Sequence, residues 1–234
     1  MAMWFSHLRY VEAAVERLGR PVERLSLCWG ALCCDVDKVS PVPREVSHYG
    51  HEGLAFSPED FLARTGLAVS RARPHADFLA GYLSHLAVDE AWYRHLFALR
   101  DSPGGLGPRW SAETTRALNL VLDQRNRAWV DLEGLDFRGA TGHEVLPHLD
   151  GAVHGLMVHA ANGYVAWPGT LSWAPDDPVF GPVMARFRDL LEAEQGRVNQ
   201  IEQTLQTERL DEEVIAFTAD VVGRFLTDLD GREG

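Results

Sequence analysis

The chain has 234 residues, 46% of them hydrophobic and 24% charged, with 22 basic against 34 acidic side chains and a formal charge of −12. This is enough sequence for one sizeable core and predicts a single domain over residues 1–234. Lys38 is the only lysine and the arginines are dispersed, which argues against nucleic acid or an anionic membrane as partner, since both recruit clustered basic side chains.

No apolar run approaches the roughly 20 residues that span a bilayer. The opening stretch MAMWFSHLRYVEAAVERLG carries Glu12 and Glu16 where a signal peptide keeps an unbroken apolar run, so a cytoplasmic location is expected. Cys28, Cys33 and Cys34 are clustered and odd in number, which fits small core residues better than a disulfide framework. The ten histidines are the more informative count, because histidine is both a common metal ligand and a common acid–base group.

Phe5 to Leu18 has helical spacing and stops at Gly19 before Pro21; a largely buried second helix follows from about Val22 to Cys34. The segment DVDKVSPVPREVSHYGHEG reads as long and irregular, and its aspartates and histidines favour a functional loop. Phe61 to Val69 predicts a helical turn or two, and Pro74 opens a helix to about Arg100 that ends at DSPGGLGP. Ser111 is placed to cap a helix reaching about Leu132. Gly142 to Tyr164 reads as helical after Pro147, WPGTLSWAPDDPVFGP as a loop, and Asp189 to Glu208 and Asp211 to Leu229 as closing helices. No alternating strand pattern or internal repeat is present, so the expected fold is all-α, a single-domain multi-helix bundle. Trp92, Tyr93, Trp129 and Trp167 are expected in the core.

The stretch GYLSHLAVDEAWYRHL, Gly81 to Leu96, organises the chain. His85 and Asp89 are four residues apart and share one helix face, yet Phe78, Tyr82, Leu86 and Trp92 surround them. A buried histidine and carboxylate need a partner, which can be each other, distant polar groups or a metal. Candidates elsewhere are His7, Asp35 with Asp37 nearby, His48 with His51 nearby, and His95. An ideal helix turns His95 well away from Asp89. His154 and His159, five apart, diverge and are read as core or surface residues. His143-Glu144 with His148 misses the zincin spacing by one residue, and no nucleophile elbow or phosphate-binding glycine loop occurs.

In order, an early histidine (His7), GALCCDVDK, Ser47-His48-Tyr49 after a proline-rich loop, and GYLSHLAVDEAW resemble the zinc-dependent phospholipase C family, which is similar in turn to the S1/P1 nucleases. The similarity covers about Met1 to Leu99. It implies an all-helical fold of that type, with Asp35, His48, His85 and Asp89 as zinc ligands, Asp89 bridging to a second ion, His7 as a further ligand, and His95 at the spacing of one more. An HxxxE motif after His95 is absent, so one or two ions are implied.

The implied activity is metal-dependent hydrolysis of a phosphate ester, with a small soluble phosphodiester as partner and Asp35 or Asp37 accepting the proton of the attacking water. Two alternatives stay open: a non-catalytic metal-binding or interaction scaffold, and an all-α protein without metal.

Overall fold

The computed structural model describes residues 3–49, 58–101, 111–168, 176–177, 180–204 and 207–231. Among them there is no strand; the helices are α1 (Trp4–Leu18), α2 (Arg24–Cys33), α3 (Arg44–Ser47), α4 (Pro58–Thr65), α5 (Val69–Ala72), α6 (Ala76–Asp101), α7 (Ala112–Arg127), α8 (Gly151–Val165), α9 (Phe180–Thr204) and α10 (Thr207–Gly231). No described helix is long and apolar enough to cross a membrane.

Helix boundaries follow local chemistry. Gly19 ends α1 at φ 63°, and its N–H closes on the Val15 and Glu16 carbonyls, a left-handed cap that glycine adopts without steric cost. Glu23 caps α2 by accepting from Leu25 and Ser26, and the Ser111 hydroxyl accepts the Thr114 N–H to start α7, as expected. Several boundaries differ from the reading of the sequence: α4 runs Pro58–Thr65 rather than Phe61 to Val69, α8 begins at Gly151 after a 3-10 turn at His143–Val145, and α10 begins at Thr207 rather than Asp211. Helix α7 stops at Arg127 rather than near Leu132, and Trp129 in the following turn is 69% exposed, with the Arg9 guanidinium 5.3 Å from its ring centre. Helix α9 begins at Phe180, well before Asp189, because Pro182 falls in its first turn, where a missing N–H costs nothing. The irregular segment after α2 contains a 3-10 turn, Cys34–Lys38, and the single turn of α3.

Helix α6 is the axis of the molecule. It packs on α1, α2 and α10, and Phe78, Leu79, Tyr82, Leu83, Leu86 and Val88 around its circumference are all buried, as expected of a helix that is apolar on every side. Its crossing with α2 has no side chain at its centre. A Cβ on Gly30 would stand 1.9 Å from the Phe78 carbonyl oxygen, and a Cβ on Gly81 would stand 1.9 Å from that of Leu27. The two backbones therefore touch, and glycine is the residue type that fits at both positions.

A second polar point joins α1, α7 and α8 in the core. Asp123 accepts from the Ser6 N–H at 2.7 Å, the Ser6 hydroxyl at 3.0 Å and the Tyr164 hydroxyl, while Asn126 donates to the Ser6 hydroxyl at 2.9 Å. Burial raises the Asp123 carboxyl to about 6, with the Tyr164 and Ser6 hydrogen bonds opposing that rise.

Two outcomes test this architecture. Gly81→Ala would gain about 1 kcal/mol from helix propensity if α6 were free at that point, whereas the contact with Leu27 predicts a loss of at least about 2–3 kcal/mol in urea unfolding. For Asp123 the folded acid holds its proton more tightly than the unfolded chain, so stability is greatest below pH ~4 as far as this group is concerned and falls as pH rises through about 6. The shift corresponds to about 3 kcal/mol. Asp123→Asn should remove that component, so that the stability difference between variant and wild type changes between pH 4 and 7 in favour of the variant.

Candidate metal centre

The α2–α6 contact aligns two short extensions of chain. On α6, His85 lies one turn past Gly81 and Asp89 one turn further. Past the end of α2, the backbone leaves helical geometry at Asp35 (φ −87°, ψ 20°) and turns its carboxylate inward. His85 Nδ1 donates to the Ala31 carbonyl at 2.7 Å. A carbonyl can only accept, so this bond places a proton on Nδ1 and turns Nε2 toward the site. Helix α3 supplies His48, whose Nδ1 lies 2.9 Å from the Ser47 hydroxyl; Tyr82 of α6 donates to the Ser47 carbonyl and anchors that turn. Tyr49, next in sequence, has φ 52°, a strained conformation for a non-glycine residue. His7 enters from α1.

These side chains converge. His85 Nε2 and His48 Nε2 lie 3.7 and 3.8 Å from Asp35 Oδ1, and both lie 3.9 Å from Asp89 Oδ2. His7 Nε2 is 3.5 Å from the other Asp89 oxygen, Oδ1. His7, Asp35, His48, His85 and Asp89 are all buried. Both nitrogens of His7, Asp35 Oδ1, His48 Nε2 and His85 Nε2 have no hydrogen-bond partner. Leaving a buried polar atom unsatisfied costs about 1–3 kcal/mol, and here several such atoms face one small volume.

The electrostatics suit a cation. Burial, reinforced by the neighbouring His85, holds His7 well below the ordinary histidine range and pushes His48 down to about 3. Both are therefore neutral at pH 7, the form that ligates metal. Burial opposes ionisation of Asp35, but its charged neighbours, Lys38 first among them, outweigh it and hold the carboxyl well below its ordinary value. Asp89 is also held below its ordinary value despite its burial. The donor set of imidazole and carboxylate fits a divalent first-row ion. Around a tetrahedral ion at about 2.1 Å, donors stand roughly 3.4 Å apart, a few tenths of an ångström less than the four histidine–carboxylate separations here. The groups His7/Asp35/His85, Asp35/Asp37/His48 and Cys34/His48/His85, buried but for the half-buried Asp37, each place one donor atom per residue within 4.8 Å of the others.

The sequence-predicted set divides. His7, Asp35, Asp37, His48, His85 and Asp89 come together. His95 does not: its ring faces Glu213 of α10, Nδ1 to Oε2 3.4 Å, as the helical rotation past Asp89 requires. His51 lies outside the described residues. His159 pairs with Asp177 at 2.9 Å, and His154 stacks on His143 with ring centres 3.6 Å apart. Four neighbours escaped the sequence reading. Trp4 Nε1 donates to Asp35 Oδ2 at 3.0 Å, Lys38 donates to the same oxygen, and Arg44 Nη2 donates to Asp89 Oδ2 at 3.1 Å. Cys34, read only as core, has its thiol 3.5 Å from the Ser47 carbonyl beside the site. Nothing in helical periodicity marks Trp4 as a neighbour of Asp35 or Arg44 as one of Asp89; Lys38, three residues after Asp35, is legible as a turn partner. A cleft lined by Glu23, His75, Asp77 and Gly142, among others, lies elsewhere and lacks this convergence of donors.

Substitution separates the members. His48→Ala and His85→Ala should each weaken Zn²⁺ binding beyond the roughly 10–100-fold typical of losing a supporting contact, whereas His95→Ala should leave it unchanged, read by titration against a competing chelator. Equal losses in all three would place His95 back in the set. In comparisons with known proteins, no family model, curated protein or solved structure matches the chain.

Proposed function

We propose that the protein is a metal-dependent hydrolase of phosphate esters, with zinc as the ion, a small soluble phosphodiester as substrate and the cytoplasm as its place of action. The observation that carries this reading is the convergence of buried, unpartnered histidine nitrogens on Asp35 Oδ1 and the two oxygens of Asp89. The resemblance of the His7, Asp35, Ser47-His48-Tyr49 and His85/Asp89 pattern to the zinc-dependent phospholipases C supplies the reaction class, and the all-helical fold agrees with it at the level of fold class.

Stacking supports two ion positions. The His7 and His85 rings lie 3.6 Å apart and 10° from parallel. Lone pairs of ring nitrogens lie in the ring plane, so stacked rings aim theirs side by side rather than at one point. Asp35, His48, His85 and Asp89 Oδ2 would hold one ion; His7 and Asp89 Oδ1 would contribute to a second. When bound, a divalent ion supplies charge stabilisation at the phosphoryl group and lowers the pKa of water toward ~7.

The protein's own residues divide the remaining work. Asp35 cannot readily take a proton, because Oδ2 already accepts from Trp4 and Lys38 while Oδ1 faces His48 and His85. Asp37 is the better base: it is half-buried, accepts from the Ser47 hydroxyl at 3.3 Å and stands at the edge of the cluster. Burial and the charge of Asp35 raise its carboxyl above the ordinary value, which improves a proton acceptor. Asp37 would receive the proton of the attacking water, while Tyr82 and Ser47 keep His48 in place.

A second reading, a metal-binding scaffold without turnover, is favoured by the burial of every donor in the cluster. Hydrolysis of bis(4-nitrophenyl) phosphate by zinc-reconstituted protein, with and without chelator, tests between them. The hydrolase reading predicts turnover that chelation abolishes and that Asp37→Asn lowers by about 10²–10⁴-fold with zinc content unchanged. Full zinc occupancy with no turnover on any aryl phosphate would leave the scaffold.

A further inference from the structure

Arg44 touches the same oxygens that face the histidines. Its Nη2 is 3.1 Å from Asp89 Oδ2, and its Nη1 is 3.7 Å from Asp35 Oδ1 and 3.8 Å from Asp37 Oδ2. Asp89 Oδ2 and Asp35 Oδ1 are also the atoms nearest His48 Nε2 and His85 Nε2. The guanidinium and a metal ion therefore draw on one set of donors. Lys38 differs, because it binds Asp35 Oδ2, the oxygen shared with Trp4 and turned away from the histidines.

Shared oxygens give the two side-chain cations different roles. A divalent ion drawing on Asp89 Oδ2 and Asp35 Oδ1 would claim the oxygens that Arg44 meets, whereas the oxygen that Lys38 binds lies outside that set. The Arg44 side chain is 30% exposed and is a long arm on a fixed base, since its own carbonyl accepts the His48 N–H at 2.8 Å. It can leave the carboxylates without moving α3, and a planar guanidinium is well matched to two oxygens of a phosphoryl group.

Resting on the metal reading above, we propose that Arg44 is a resident counter-cation: it neutralises Asp89 and Asp35 in the empty site, yields their inward oxygens to the metal, and then becomes the anion-binding arm of the loaded site. The ligand it would take is a phosphodiester, whose two non-bridging oxygens match the paired N–H groups of the guanidinium. The device also makes anion binding conditional on metal, because an Arg44 engaged with three carboxylates offers little to a phosphate.

The sign of one measurement tests this. Metal-stripped wild type, Arg44→Gln and Arg44→Lys are titrated with Zn²⁺ against a competing chelator, and stripped and loaded forms are titrated with dimethyl phosphate by calorimetry. Removing a competing cation should tighten Zn²⁺ binding by tenfold or more in Arg44→Gln, about 1.4 kcal/mol. Arg44→Lys, which keeps the charge but loses the two-pronged contact, should tighten it less, and decides the matter if the glutamine variant does not fold. Dimethyl phosphate should bind loaded but not stripped wild type, and at least tenfold more weakly to loaded Arg44→Gln. Zinc binding that is unchanged or weaker in both variants overturns the displacement, making Arg44 a support of the ligands instead; dimethyl phosphate binding that ignores Arg44 overturns its role as the anion arm. Failure of wild type and variants alike to bind Zn²⁺ overturns the metal reading itself, an outcome distinct from the other two.

Discussion

The contact of two bare backbones, Gly30 of α2 against Phe78 and Gly81 of α6 against Leu27, is the constraint on which the site depends. It brings the helices closer than any side chain at the crossing allows, and distance along each helix is then converted into position in space. Ala31 follows Gly30 and presents its carbonyl to His85, which lies one turn past Gly81. Four residues past Ala31 stands Asp35; four past His85 stands Asp89. Widening the crossing would move both carboxylates and break the one hydrogen bond that orients His85. Close helix packing and donor geometry are thus the same feature of the molecule, expressed at two scales.

What the crossing assembles is costly by itself. Three buried histidines and two buried carboxylates fill the space where a core would place leucine, and five of their polar atoms have no hydrogen-bond partner. The surroundings limit the cost rather than remove it: Trp4 and Lys38 hold the outer oxygen of Asp35, Arg44 meets Asp89, and burial keeps His7 and His48 neutral. Asp123 shows the contrast. It is just as buried, but Ser6 and Tyr164 supply its partners. One buried acid is satisfied by the protein; in the cluster of His7, Asp35, His48 and His85, five buried polar atoms are not.

Much of this was legible in the residues, and what was not has identifiable causes. The helical period fixed α1, α2 and α6 because each has strong stop signals, Gly19 and Pro21 above all. Four-residue spacing was enough to put His85 beside Asp89 and to turn His95 away. The end of α7 was missed because Trp129 and Val130 continue an apolar pattern that the backbone does not follow. The start of α9 was missed because proline was read as a breaker when it occupies a first turn. Arg44 was invisible for a deeper reason: its role depends on where α3 lies against α6, a long-range relation that no local pattern carries. The same holds for Trp4, which meets Asp35 across 31 residues of chain. Sequence order supplied the candidate donors, and three-dimensional packing supplied their neighbours.

X-ray absorption at the zinc edge of the reconstituted protein tests the central claim most directly, because it reads donor type and distance without reference to turnover. The His–Asp cage predicts a nitrogen and oxygen shell at about 2.0–2.1 Å with the outer scattering of imidazole rings. A spectrum with only water-like oxygen scattering, or one dominated by a sulfur shell near 2.3 Å, would contradict it; the sulfur result would move the ion toward Cys34 and away from the oxygens of Asp89.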